Sequence, residues 1–299
     1  MKKQKSPAMH LNATLTADAV ELKTITDFII KKFKIEKVIC FGSIVNHVEN
    51  ISCFKEMVQE KELKQLNSFY LLIVPDSQEL LADIVIQMQL EEDLKGIASV
   101  TIIVHRMEEI NKALENGSSF FTTIYKKGTM LYDQEIEPFV VPGSGTTINK
   151  RILKRENFWH QWYNLSEGFL KGAAFFEQSN HPNLSLYMLH QSLQHCYSGM
   201  LRVLTGYRTN TNGLRRLMKL IDNILPASAF SDRKTPEEGR LTTLLLKGLG
   251  DARYSEKFEI SDQELSQIKS RVQAILDKAN NACLMHIEKL KEGKAPYIA

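Results

Sequence analysis

A proline- and glycine-rich stretch between Asp133 and Lys150 splits this chain into two halves that follow different hydrophobic periods. It carries Pro138, Pro142, Gly143, Ser144 and Gly145. Such a run cannot sustain a helix and is expected to pack poorly. The expected organisation is therefore a first domain over 1–133, a linker over 134–150 and a second domain over 151–299. With 299 residues, each half has chain enough for its own core. Before the break, apolar residues come in short β-branched runs; after it, they recur every three or four residues. The fold class that follows is α+β, a mixed α/β domain followed by an all-α antiparallel bundle.

In the first half, Thr16 can cap a helix that places Leu22, Ile25, Ile29 and Phe33 on one face. Lys31, Lys32 and Lys34 gather at its end, where the helix dipole favours cations. The run Val38-Ile39-Cys40-Phe41 then closes on Gly42-Ser43. It reads as a buried strand turning sharply into a loop whose backbone can approach a phosphate. Lys55 to Lys64 reads as an amphipathic helix or an insertion. Phe69 to Val74, stopped by Pro75, is a central strand. Leu80 to Leu94 has helical spacing, Val100 to Val104 is a third strand, and two short helices follow, Met107 to Glu115 and Ser118 to Lys127. Met130-Leu131-Tyr132 completes the domain.

The second half reads as helices throughout. Arg151 to Gln178 is long and periodic, with Trp159, Trp162, Phe169 and Phe176. Pro182 starts a helix that runs to Gly206. Thr235-Pro236-Glu237-Glu238 is a capping box opening a helix to about Arg253, and Ser261-Asp262-Gln263-Glu264 opens a last one to about Lys291. The aromatics fall at helical spacing, which favours bundle core and dimer contact over a base-stacking platform. Arg208, Arg215, Arg216 and Lys219 form the strongest basic cluster, either a solvated helix face or a contact for RNA.

Charge and cysteine usage exclude several classes. The net charge is only +3 and both signs are interspersed, which gives little support for nucleic-acid binding by bulk electrostatics. Cys40, Cys53, Cys196 and Cys283 are far apart with no CxxC pair, so neither a zinc site nor a disulfide framework is indicated, and a reduced, cytoplasmic protein is expected. The basic start MKKQKSPAMHLNATLTAD lacks the apolar run of a signal peptide, and no membrane partner is expected. His47, His105, His181 and His286 show no metal-ligand spacing.

The Val38-to-Ser43 signature resembles that of the minimal nucleotidyltransferases. Gly117-Ser118-Ser119-Phe120-Phe121, with Ile124, Gly128 and Leu131-Tyr132, is similar to the closing segment of such domains. In that family a second strand supplies two metal-binding aspartates one residue apart, and a neighbouring strand supplies a third carboxylate. Aligning the apolar runs places Ser68, Tyr70 and Thr101 at those three positions. Nucleotidyl transfer needs cations held by carboxylate oxygens, and these side chains cannot hold them. The resemblance therefore implies a degenerate domain with no cofactor, magnesium entering only if acids elsewhere serve. Asp76 and Asp83 fall past the strand, on a turn and a helix surface.

Leu189-His190-Gln191, Gly206-Tyr207 and Asp251-Ala252-Arg253-Tyr254, together with the Thr235 capping box, resemble the HEPN family from about Lys150 to Cys283. HEPN domains commonly accompany minimal nucleotidyltransferases. Many are RNases with an Arg-x4-6-His motif paired across a homodimer, and others bind nucleotides or act as scaffolds. Arg253 matches the family's arginine, but Tyr254 to Ile260 contains no histidine. The one literal Arg-x4-His pair, Arg155 and His160, lies in the first bundle helix, where the family does not keep its site. His190, Gln191 and His195 are either hydrogen-bonded polar groups of the bundle or part of a pocket with Arg253 and Tyr254, where a guanidinium beside aromatic and amide groups suits a phosphate and a base.

The expected nucleotide-binding set is Gly42, Ser43, His190, Gln191, Arg253 and Tyr254. The resemblance implies a non-catalytic nucleotide-binding or regulatory protein in a stress, defence or toxin–antitoxin-like setting, a homodimer through its helical domain. An RNase acting through Arg253 and a working metal-dependent nucleotidyltransferase are the alternatives. RNA is the lesser candidate ligand.

Overall fold

The computed structural model describes residues 18–45, 49–52, 67–145, 147–209, 213–222 and 235–294. They fall into two compact units, and the chain divides between them after residue 146. Thr16 and the stretch Lys55 to Lys64 lie outside the described residues.

The first unit runs α1 (Asp18–Lys32), β1 (Ile35–Val45), β2 (Glu49–Ser52), β3 (Ser68–Pro75), α2 (Asp83–Asp93), a 3-10 turn (Leu94–Gly96), β4 (Ser99–Val104), α3 (Met107–Glu115), α4 (Ser119–Lys127) and β5 (Thr129–Asp133). The sheet order is β2-β1-β3-β4, and β5 also pairs with β1. β1 is antiparallel to each of its partners, while β3 and β4 are parallel. Alternation along the strands sorts the core into two layers. Val38, Cys40, Phe69, Leu71 and Ile73 meet Leu22, Ile25 and Ile29 of α1 and Ile86 and Leu90 of α2. Ile39 and Leu72 meet Ile110 and Leu114 of α3 and Phe121 and Ile124 of α4.

Two expectations for this unit are corrected. The first concerns Gly42-Ser43, which do not turn. β1 continues through them to Val45, with Gly42 opposite Tyr70 on one side and Ser52 on the other, and Ser43 opposite Phe69 and Ile51. A register shift between Cys40 and Gly42 absorbs Phe41 as a bulge. Strand pairing on both edges uses the backbone that a phosphate would have needed.

The second concerns the segment after β5, which does not pack poorly up to Gly143. Gln134 N donates to Glu36 O (2.9 Å), Glu137 N to Glu36 Oε1 (3.0 Å) and Val140 N to Asn111 Oδ1 (3.0 Å). The buried Lys37 ammonium meets Asp133 Oδ1 at 2.5 Å and lies 5.5 Å from the Phe139 ring centroid. Gly143 N donates to Leu114 O (3.0 Å), and a Cβ at Gly143 would stand 2.2 Å from Glu115 O. The glycine is there for a close backbone approach rather than for flexibility.

α2 starts at Asp83 rather than Leu80 because Arg106 clamps the preceding loop. Its guanidinium donates to Asp83 Oδ1 (2.7 Å), Glu79 O (2.9 Å) and Leu81 O (2.6 Å), leaving Leu80 94% exposed.

The second unit contains α5 (Ile148–Gln178), α6 (Pro182–Thr205), α7 (Leu214–Asp222), α8 (Pro236–Lys247), α9 (Asp251–Tyr254) and α10 (Asp262–Lys291). α5 and α6 form the main hairpin, and α10 packs on both. Leu186, Leu189, Leu193, Cys196 and Tyr197 of α6 are buried, as are Leu265, Ile268, Val272 and Leu276 of α10. Both capping boxes form: Glu238 N donates to Thr235 Oγ1 (3.2 Å) and Glu264 N to Ser261 Oγ (3.3 Å), and the two glutamates return the bond. α8 ends at Lys247 rather than near Arg253. A Cβ at Gly248 would stand 3.1 Å from Leu186 O, so the chain passes close to α6 there before making the single turn of α9. Among the described residues no helix is long and apolar enough to cross a membrane.

Candidate functional site

In the first unit, three of the aligned positions form one row across the sheet: Gly42 pairs with Tyr70, and Tyr70 with Thr101. Ser68 stands two residues earlier on β3, opposite Ile44. Ser68, Tyr70 and Thr101 are all buried. Rings fill the space near this row, with Phe41 centred 6.2 Å from Tyr70 and 6.1 Å from Phe120, and Phe120 5.2 Å from Phe121. Cys40 Sγ donates to Gly42 O (3.3 Å), and burial pushes its thiol up to about 11. Among the described residues no group of three or more His, Cys, Asp or Glu is placed to hold a metal ion.

The second unit presents an exposed cation in a defined setting. Arg253 lies on α9, its guanidinium carbon 4.8 Å from the ring centroid of Tyr187 on α6 and 4.7 Å from that of Tyr254. The single turn of α9 explains the arrangement. Ala252 is buried, while Arg253 and Tyr254 point outward, Tyr254 being 74% exposed. A guanidinium set against aromatic rings is held in orientation by cation–π attraction while its N–H edges stay available.

His190 and Gln191 do not share that surface. Both are buried, His190 at 2% exposure, and His190 Nδ1 has no hydrogen-bond partner among the described residues. Burial lowers the His190 pKa to about 4, so the imidazole is neutral near pH 7. His195 Nδ1 bonds Gln191 O (2.8 Å), and its ring lies between Trp162 and Phe169. The pocket expected at His190 and Gln191 is instead an open notch toward the start of α6. It has a volume of about 510 Å³ and is walled by Asn180, His181, Pro182, Asn183 and Leu184 on one side and Phe258, Glu259 and Ile260 on the other.

Tyr187 and the notch residues escaped the sequence reading. Tyr187 lies on the same helix as His190 and Gln191, so the helix was visible. The return of α9 onto it was not, because α8 appeared continuous through Gly248.

Arg155 and His160 do not form a pair. Five helical residues place their side chains roughly 140° apart around the axis. Arg155 is buried, with Nη1 3.4 Å from His286 Nε2 of α10, whereas His160 is exposed beside Asn164. Burial lowers Arg155 to about 10. His286 falls to about 3, chiefly through burial and then through the neighbouring Arg155 and Lys289 charges. Trp159 is buried and its Nε1 donates to Asn280 Oδ1 (2.9 Å), a core role. In the basic cluster, Arg208 and Arg215 are exposed and Arg216 and Lys219 are half-buried.

A family model matches the second unit over residues 159–282. This stretch is a HEPN domain. It spans Tyr187, Arg253, Tyr254 and the whole notch, and excludes Arg155 and His286. The HEPN match covers none of the first unit, and no curated protein matches the chain.

Proposed function

We propose that the HEPN domain binds nucleotides or related phosphate ligands through Arg253, and that the protein works as a non-catalytic regulatory module. In this reading the first unit is a nucleotidyltransferase-like domain that has lost its chemistry. The observation that carries the proposal is the exposed Arg253 guanidinium, 4.8 Å from the ring centroid of Tyr187 and 4.7 Å from that of Tyr254. A guanidinium restrained by neighbouring rings offers its N–H fork to phosphate oxygens at a smaller entropic cost than a free side chain. Support for an inactive first unit comes from the buried, uncharged Ser68, Tyr70 and Thr101, and from the rings of Phe41 and Phe120 packed nearby. A cation bridging a triphosphate would find no carboxylate at those three positions.

Thermal unfolding with pyrophosphate and with ATP, each with and without magnesium, tests binding. Stabilisation of the wild-type chain that Arg253→Ala removes is the expected result, and no stabilisation by either ligand would refute the proposal. A second reading has one observation in its favour: His181, on the notch wall, is an imidazole near the start of α6, the helix whose Tyr187 meets Arg253. RNA cleavage lost in both Arg253→Ala and His181→Ala would replace binding with catalysis.

A further inference from the structure

We infer that the notch beside Arg253 is a nucleobase subsite, which makes the ligand a nucleotide rather than a bare phosphate, and one whose base carries an exocyclic amine. This rests on the Arg253 reading above and deepens it.

The argument begins with place. Leu184, on the notch wall, and Tyr187, against Arg253, are three residues apart on α6 and so share one helix face. On the other side, the segment that supplies Arg253 and Tyr254 goes on to supply Phe258, Glu259 and Ile260. The cation and the notch are therefore built from the same two segments. A volume of about 510 Å³ falls within the range of small-molecule sites and exceeds what a phosphate alone would fill.

The chemistry of the walls narrows the ligand further. Pro182, Leu184, Phe258 and Ile260 offer apolar surface to the faces of a planar ring, while Asn180, His181, Asn183 and Glu259 offer polar edges. The geometry is held by Asn183 Nδ2, which donates to Phe258 O (3.4 Å) and ties one wall to the other. Asn180, at φ 60°, makes the tight corner between α5 and α6 at that wall. Glu259 is the one carboxylate among the lining residues, and an ionised carboxylate only accepts hydrogen bonds. It suits the amino groups of adenine, cytosine or guanine and opposes the carbonyl oxygen that uracil presents at the equivalent position.

Calorimetric titration of the full chain with pyrophosphate, ATP and UTP separates the possibilities. ATP is expected to bind at least about tenfold more tightly than pyrophosphate, and several-fold more tightly than UTP. Leu184→Trp, at a 39% exposed position, fills the notch and should bring ATP down to the pyrophosphate level while leaving pyrophosphate unchanged. Glu259→Gln, at an exposed position, should erase the preference for ATP over UTP, because an amide can donate to uracil. Equal binding of ATP and pyrophosphate, unaffected by Leu184→Trp, would overturn the subsite and leave the Arg253 proposal standing. A preference for ATP that survives Glu259→Gln would overturn the role of the carboxylate. Binding by none of the three ligands would overturn both proposals.

Discussion

Buried imidazoles tie the stability of the second unit to pH. His190 and His286 are held neutral, at about 4 and about 3, whereas an unfolded histidine takes up its proton near 6.5. Below about pH 6.5 the unfolded chain binds protons that the folded one refuses. Stability is therefore complete above that value and falls as the pH drops toward 4 and then 3. The shift at His190 alone corresponds to roughly 3 kcal/mol once its folded-state pKa is passed. His190→Leu removes the titrating group and an unpartnered Nδ1 together, so melting temperature should decline less steeply between pH 7 and pH 4 than in the wild type. Calorimetric scans across that range check it, and parallel curves would remove His190 from the account. The sequence picked out His190 by its neighbours in a resembled motif, but a linear motif does not show which way a helix is rotated. Leu186, Leu189 and Leu193 turn His190 inward, and Arg253, three helices later, takes the exposed role.

Most elements were legible because their periods are clean. α1 buries Leu22, Ile25 and Ile29 as spaced, β3 is buried from Ser68 to Pro75, and both capping boxes start their helices. The misread elements are those whose limits depend on distant partners. β1 runs past Gly42 because β2 and β3 pair with it there, and α2 starts late because Arg106, 23 residues beyond Asp83, holds the loop before it. That clamp makes a prediction at this scale. Arg106→Ala should release the carbonyls of Glu79 and Leu81, speed amide exchange across residues 77–83 and cost about 1–3 kcal/mol. Leu80→Asp, at a side chain already 94% exposed, should change stability by no more than about 0.5 kcal/mol. Hydrogen-exchange and denaturant titrations on the two variants separate a structural clamp from an ornamental one.

At the scale of the whole chain, composition located the change of architecture between the two units but misjudged the segment that precedes it. Proline and glycine exclude helix; they do not exclude packing, and here glycine permits the 3.0 Å bond from Gly143 N to Leu114 O. The fastening depends on Lys37, which is 1% exposed and is paired with Asp133 while lying 3.5 Å from Glu36. Lys37→Met would leave the buried Glu36 carboxylate without its cation, a loss of about 3–5 kcal/mol for a fully buried pair and less here, since Asp133 is one-third exposed. The readout specific to the strap is proteolytic. Cleavage by a glutamate-specific protease at the Glu135–Ile136 bond needs the local backbone to open, and in the wild type Gln134 N and Glu137 N are both bonded to Glu36. Digestion of the full chain under native conditions should therefore spare that bond in the wild type and cut it at least about tenfold faster in Lys37→Met, at a temperature where both remain folded. Rapid cutting of the wild type at Glu135 would return the segment to the loose connector that its composition describes.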